Sequence, residues 1–462
     1  MSEWKKATLG ELVALGKGRI QTGPFGSQLH AHDYVEVGIP CLMPVNLKDN
    51  KIDITNVSFI SDADAKRLAK HLVKSGDVIY SRRGDVTQKA IITEKEAGYF
   101  CGTGCLLVRV GNSIDSNFLV YFLSTSQSKN WILNNAVGIT MPNLNTKILS
   151  KFPIAFPDLN VQKQIAKVLS NLDSKISLNN RINKELETMA KLIYDYWFVQ
   201  FDFPISAAQA ASVGKPMLAG KPYKSSGGKM VYNTELKREI PEGWDVKNLV
   251  EEMDVQYGFP FSTRLFNEEE KGVPVVRIRD IINNSISLYS TENINDKYQL
   301  REGDLLIGMD GNFHMNYWDK EGCYLNQRSL RIRRASHSRL SQMQAFFDVE
   351  PYIKLREKSV SRTTVGHLSA RDVNSLKVLV PSADVSKAGI EKFDVFLKMI
   401  INNRKQNQKL SELRDWLLPM LMNGQVTISS SDKSPADKKE AEGYLEKEAD
   451  ISMAAEGRGE YG

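Results

Sequence analysis

The residues that most invite a chemical reading are Phe100-Cys101-Gly102-Thr103-Gly104, because an F-x-G-x-G turn is how many methyltransferases bend the chain around a nucleoside cofactor. The chain repeats itself, however, and its second copy carries Asn326-Gln327-Arg328 at these positions, with no glycine. It also lacks the Pro-Pro pair needed for a D/N-P-P-Y/F amino-methylating motif. Cys101 and Cys105 lie four apart with no second Cys or His pair at ligand spacing, which argues against zinc. No G-x-x-x-x-G-K-S/T phosphate loop occurs, so an ATP motor is not encoded. The histidines His30, His32, His71, His314, His337 and His367 are mostly not shared between the copies, so none reads as a duplicated general base. A nuclease built from scattered carboxylates and a lysine has no motif here. The expectation is a chain without catalysis, cofactor or metal of its own.

The elements that would have to position any site come twice. Gly98-Tyr99-Phe100 and Cys105-Leu106-Leu107-Val108-Arg109 match Gly322-Cys323-Tyr324 and Ser329-Leu330-Arg331-Ile332-Arg333 at an offset of 224. The same offset carries Leu144-Asn145-Thr146-Lys147 onto Leu368-Ser369-Ala370-Arg371. Upstream the offset drifts to 227 for Gly76-Asp77-Val78-Ile79 against Gly303-Asp304-Leu305-Leu306, 234 for Gly38-Ile39-Pro40 against Gly272-Val273-Pro274, and 240 for Trp4 against Trp244. Downstream, Asn179-Asn180-Arg181 meets Asn402-Asn403-Arg404 at 223. Collinear anchors over nearly the whole chain imply an internal duplication, with loops that differ in length between copies.

Each copy opens with a globule, residues 1–158 and 241–384, that mixes short β-like runs with Gly, Asn and Asp turns and helical stretches such as Asp62 to Leu72. This reads as α+β. A long helix follows in each, over 159–200 and 385–428. In the first, Ile165, Leu169, Leu172, Ile176, then Leu186, Met189, Ile193 and Trp197 alternate four and three apart, a coiled-coil seam interrupted by Asn179 and Asn183. The second shows Ile390, Phe393, Leu397, Ile400, then Asn407, Leu410, Leu413 and Leu417, with Pro419 as an end or a kink. Two such helices should pair, since a lone seam leaves its apolar face wet. The fold expected is two similar α+β domains separated by two long antiparallel coiled-coil helices, a pseudo-two-fold internal repeat. A stretch of roughly 35 residues would reach ~50 Å, a spacer as well as a brace. Within the connection 201–240, Ser206 to Gly228 is rich in Ala, Gly, Ser and Lys and reads as flexible. Residues 429–462 form a charged tail, expected to be disordered.

Composition is ordinary for a globular chain of 462 residues, 42% apolar and 25% charged. No secretory signal or membrane-length apolar run is present, so a soluble cytoplasmic protein is expected. The net charge is +6, but the tail from Ser429 holds five Lys/Arg against nine Asp/Glu, so the remainder is distinctly basic. That favours an anionic partner such as nucleic acid.

Three stretches then carry a family resemblance: Trp197-Phe198-Val199-Gln200-Phe201-Asp202-Phe203-Pro204, Gly220-Lys221-Pro222-Tyr223-Lys224-Ser225-Ser226-Gly227-Gly228-Lys229-Met230-Val231, and Leu236-Lys237-Arg238-Glu239-Ile240-Pro241-Glu242-Gly243-Trp244. They resemble the central region of specificity subunits of type I restriction-modification systems, departing from it in the Ala-rich stretch Ser206 to Leu218. The resemblance implies two target recognition domains, each reading half of a split site in double-stranded DNA, with two helices holding them apart. It also implies docking of two adenine methyltransferase subunits and of ATP-dependent restriction/translocase subunits, which bring the catalysis. Two other readings remain open: a single-chain DNA modification enzyme, or a coiled-coil adaptor without DNA specificity.

Base-edge readers should be polar side chains on loops beside the repeated strands, since Arg to guanine and Asn or Gln to adenine are the favoured bidentate pairs. The first copy offers Arg19 and Gln21, Ser27 in the turn that follows, Asn46 and Lys48, then Arg82, Arg83 and Lys89. In the second copy the matching places hold Ser262 and Arg264, Arg277 and Arg279, Asp310 and Asn312, with Arg328 nearby. Equivalent segments before a β-like run add Thr140 and Asn143 in one copy and Arg362 and Thr363 in the other, either as DNA-facing loops or as tight turns. Arg82-Arg83 corresponds to Met309-Asp310 while the flanking strand persists, so the two half-sites are expected to differ and the whole site not to be a palindrome.

Overall fold

The structure, a computed structural model, describes residues 4–138, 142–311, 313–359 and 366–426. It divides into two units, residues 1–173 with 412–462 and residues 174–411. The duplicated sequence folds into duplicated topology. In the first unit a four-stranded sheet runs Arg19–Thr22, Cys105–Arg109, Val78–Ser81, Lys89–Ile91, antiparallel throughout. In the second the order is Met253–Tyr257, Ser329–Arg334, Leu305–Gly308, Met315–Tyr317, again antiparallel. A second sheet in each pairs one strand in parallel, Cys41 opposite Phe100 and Val275 opposite Tyr324. A two-stranded ribbon closes each globule, Lys5–Thr8 on Pro153–Phe156 and Asp245–Asn248 on Lys377–Val380.

The central strands Val78–Ser81, Cys105–Arg109 and Leu305–Gly308 are apolar runs because both faces are covered. Val78, Tyr80, Leu106 and Val108 enter one core with Leu9, Phe118 and Phe152, while Ile79, Leu107 and Cys105 enter another with Leu42. The period of two does the same in the second copy, sending Leu305, Ile307, Leu330 and Ile332 one way and Leu306 the other, beside Trp318 and Leu325. The turn before each central strand is also shared. Gly76 and Gly303 take φ of +84° and +86°, and the next residue, Asp77 or Asp304, accepts from the backbone N of Lys74 or Arg301 at 2.7 Å. Each buried carboxylate also pairs with an arginine at or next to the end of the neighbouring strand, Arg109 at 2.5 Å and Arg333 at 2.6 Å. The turn and ion pair recur as one device.

The first long helix spans Leu159–Tyr194 and ends in a π turn, Asp195–Val199; the second, Ala383–Met422, continues through Pro419 rather than stopping there. They run antiparallel. Within the second unit Asn179 donates to Asn407 at 2.9 Å, and further along Asn403 donates to Asn183 at 2.8 Å, so numbers rise on one helix as they fall on the other. Within the first unit, Arg414 meets Asp173 at 2.9 Å. The polar breaks in the seam are thus an asparagine ladder, with Asn179 and Asn183 buried. The seam differs from expectation at two residues, Met189 and Leu413, which are 50% and 43% exposed, while Ala190 is buried in Met189's stead. The 3.6-residue turn drifts off a strict heptad, and small Ala190 admits closer packing.

The connection read as flexible is folded. Phe203 stacks between Tyr223 at 4.6 Å and Trp244 at 5.1 Å, a capped helix spans Ala207–Ser212, and Met230–Asn233 pairs with Arg238–Pro241. A few aromatics supply the buried area that a count of Ala, Gly and Ser overlooks. Among the described residues no helix is long and apolar enough to cross a membrane. The tail, 429–462, lies outside the described residues.

Candidate nucleic-acid interface

In the first copy four loops converge at the ends of the buried strands. Gly23 at the start of the 23–27 turn donates to Cys105 O at 2.9 Å, and Arg82 N donates to Gly104 O at 2.8 Å. Leu144 N closes onto Arg82 O at 2.9 Å, and Val137 and Asn143 exchange two backbone hydrogen bonds. The Arg82 guanidinium sits over the Phe25 ring, 5.6 Å from its centroid, and its Nε donates to Asn143 Oδ1 at 3.3 Å. Arg83 and Ser27 are exposed beside it. Stacking fixes the plane of Arg82, which suits a bidentate donor better than a free side chain would.

The second copy repeats this frame with other chemistry. Met309 N donates to Arg328 O at 2.9 Å and Leu368 N to Met309 O at 2.8 Å, so Met309 stands where Arg82 does and Asp310 where Arg83 does. Asp310 there binds Arg328 at 2.7 Å and His367 Nδ1 at 2.6 Å. A donor-only pair of arginines in one copy is replaced by a carboxylate bridging an arginine and a histidine in the other. His367, in the place of Asn143, was not among the expected site residues, and neither was Phe25; the signal for both was their position in loops whose flanks repeat.

The remaining expected residues divide by burial and partner. Arg19 and Gln21 each donate to Lys70 O, at 2.7 and 2.6 Å, and so brace their strand against the loop that carries Lys70. Lys48 is exposed but paired with Asp53 at 2.5 Å, and Arg277 is held by Asp280 at 2.8 Å and by Ser287. Arg264 and Arg279 are exposed, and Ser262 is half-buried. Two residues are corrected. Asn46 is buried, accepting from Met43 N and donating to Asp53 O at 2.9 Å each, which shapes a turn. Lys89 is buried in its strand, with its amine pushed down to about 7 by loss of solvent. Neither presents a side chain to a duplex. Register also shifts one correspondence: Gly23 and Gly258 make the same strand-end bond, so Gln256, not Ser262, is the partner of Gln21. Ser262 instead caps, and Arg264 lies within, the 3-10 turn Thr263–Leu265, the counterpart of Ala31–Asp33. Thr140, Asn312, Arg362 and Thr363 lie outside the described residues.

The glycine turn that suggested a cofactor has a packing explanation. A Cβ on Gly102 would lie 2.7 Å from Leu42 O and 2.8 Å from Cys41 Sγ, so the position needs glycine for close approach of two chains. The four cysteines are buried and free, and burial pushes the thiols of Cys41 and Cys323 up to about 12 and about 11, away from nucleophilic use.

The chain is similar to known proteins over most of its length. The family described as type I restriction modification DNA specificity domain matches residues 1–188 and 241–412. The type I restriction enzyme MjaIX specificity subunit of Methanocaldococcus jannaschii is 25% identical over 331 residues, 69% of this chain and 70% of its own length. The HindI specificity subunit of Haemophilus influenzae is 21% identical over 492 aligned positions, covering 92% of this chain and 100% of its own. In fold, the crystal structure of the type I restriction-modification system S subunit from M. genitalium aligns with a TM-score of 0.56 at 15% identity, over 91% of this chain and 96% of that one.

Proposed function

The chain belongs to the type I restriction-modification specificity family, with two target recognition domains, and from that premise we propose that it reads a bipartite, asymmetric site in double-stranded DNA, one half per domain. It supplies specificity and scaffold, not catalysis, for two adenine methyltransferase subunits and for restriction/translocase subunits, in the cytoplasm. One observation carries this reading: identical strand order and register in the two copies, with Arg82 and Arg83 facing Asn143 in one and Met309 and Asp310 facing Arg328 and His367 in the other. A loop that only gripped phosphates would keep its cations in both copies, because phosphates look the same along any duplex. A loop that reads base edges must change its donors and acceptors when the bases change. Methyltransferase partners reach a base inside the duplex by flipping it out, which needs the flanking DNA held on both sides, and two recognition domains meet that need.

Coexpression with the cognate methyltransferase subunits, followed by mapping of methylated adenines across a genome, tests the proposal. The expected motif is two unlike half-sites separated by an unspecified spacer. A palindromic or continuous motif overturns it.

A further inference from the structure

We propose that His30, His32 and Asp33 form a binding site for one divalent transition-metal ion of the zinc type. The inference concerns the turn itself and stands whether or not the domain reads DNA. The 3-10 turn Ala31–Asp33, with His30 at its N-cap, gathers the three side chains. Among the described residues their ligand atoms lie within 4.8 Å of one another. His30 Nδ1 is 3.5 Å from one Asp33 oxygen and His32 Nε2 is 3.2 Å from the other. Ligands set tetrahedrally at zinc distances stand about 3.3–3.4 Å apart, and each imidazole nitrogen already lies near that distance from one oxygen of the shared carboxylate. The carboxylate is oriented by the backbone N of His30, which donates to it at 2.7 Å, the kind of outer support that ligating carboxylates have.

Structural need does not account for the arrangement. The imidazoles are 53% and 79% exposed, and among the described residues neither bonds to any group but Asp33. Their rings stack with centroids 5.1 Å apart and planes within 6°. Ordering two exposed rings on one surface carboxylate costs rotamer freedom that weak, solvent-screened contacts offset poorly. The same turn in the second copy forms with Ser262, Arg264 and Leu265 in these places, so the fold itself does not require the trio. Two imidazoles and a carboxylate suit zinc, nickel or copper rather than magnesium or calcium. Three protein ligands leave a coordination position open to solvent, on the first copy only.

The test is calorimetric titration of Zn2+ into the untagged full chain after chelator treatment. One equivalent should bind, and His32→Ala should weaken binding at least about tenfold, as should Asp33→Asn. His337→Ala, which removes an exposed histidine elsewhere, should change nothing. Because His32 is largely exposed, its variant is expected to keep the circular dichroism spectrum of the parent, which separates lost ligation from lost fold. No stoichiometric uptake, or uptake that His32→Ala leaves unchanged, overturns the site.

Discussion

At the scale of residues, burial divides polar side chains of similar sequence promise into exposed candidates and inward-facing supports. Arg82 is half-buried, stacked on Phe25 and poised beside the exposed Arg83. Arg82→Ala should therefore relax discrimination at bases of one half-site by about 1–3 kcal/mol and leave the other half-site unchanged. Competition binding with single-base variants of each half measures this, and uniform weakening on all DNA would make Arg82 a phosphate contact instead. Lys89 has the opposite character. Strand pairing sets it opposite Tyr80, as Met315 is opposite Ile307 in the second copy, so Lys89→Met installs what the duplicate already holds. Its amine titrates at about 7 when folded, against 10.5 for a free lysine. Below pH 7 both folded and unfolded chains hold the proton and the burial penalty is fully present. Between pH 7 and about 10 the unfolded chain alone holds it, so stability rises with pH by up to about 1.4 kcal/mol per unit. Lys89→Met should protect the Val78–Ser81 amides from hydrogen exchange at pH 7 and confer less protection, relative to the parent, as pH approaches 10. An equal gain at both pH values would refute the assignment.

At the scale of elements, the long helices show how a polar interruption becomes a specification. Asn183 is buried and accepts from Asn403, while its own amide donates to Ile400 O at 3.2 Å. Asn403→Leu alone strands the buried Asn183 oxygen and should cost about 1–3 kcal/mol, whereas adding Asn183→Leu removes both partners and should recover most of that loss. Urea unfolding of the parent, the two single variants and the double variant gives the coupling directly; additive effects would mean that the pair does not set the register. Sequence periodicity located these helices and their interruptions, because an apolar seam at three and four is a property of the chain alone. It misplaced Met189 and Leu413, because which side of a drifting helix turns inward depends on the partner packed against it. The folded connection after Phe201 was missed for a related reason. Its aromatics lie far apart in the chain, at Phe203, Tyr223 and Trp244, and only folding stacks them.

At the scale of the whole molecule, duplication followed by divergence of loops explains why one chain carries two unlike faces on like frames. The shared frame is held by local rules repeated twice: a left-handed glycine, a capping aspartate and a strand-end arginine, seen at Gly76, Asp77 and Arg109 and again at Gly303, Asp304 and Arg333. The amino-acid sequence by itself determined the repeat, the α+β character of each globule, the pair of long helices and the family, since each rests on residue order, period or composition. Tertiary structure alone decided that Asn46 and Lys89 face inward, that Gln256 rather than Ser262 answers to Gln21, and that Asp310 binds Arg328 and His367. It also decided that His30 and His32 turn a nitrogen to one carboxylate. The physical reason is that burial and the choice of partner are set by contacts between segments distant along the chain, and no pattern of spacing within one segment contains them.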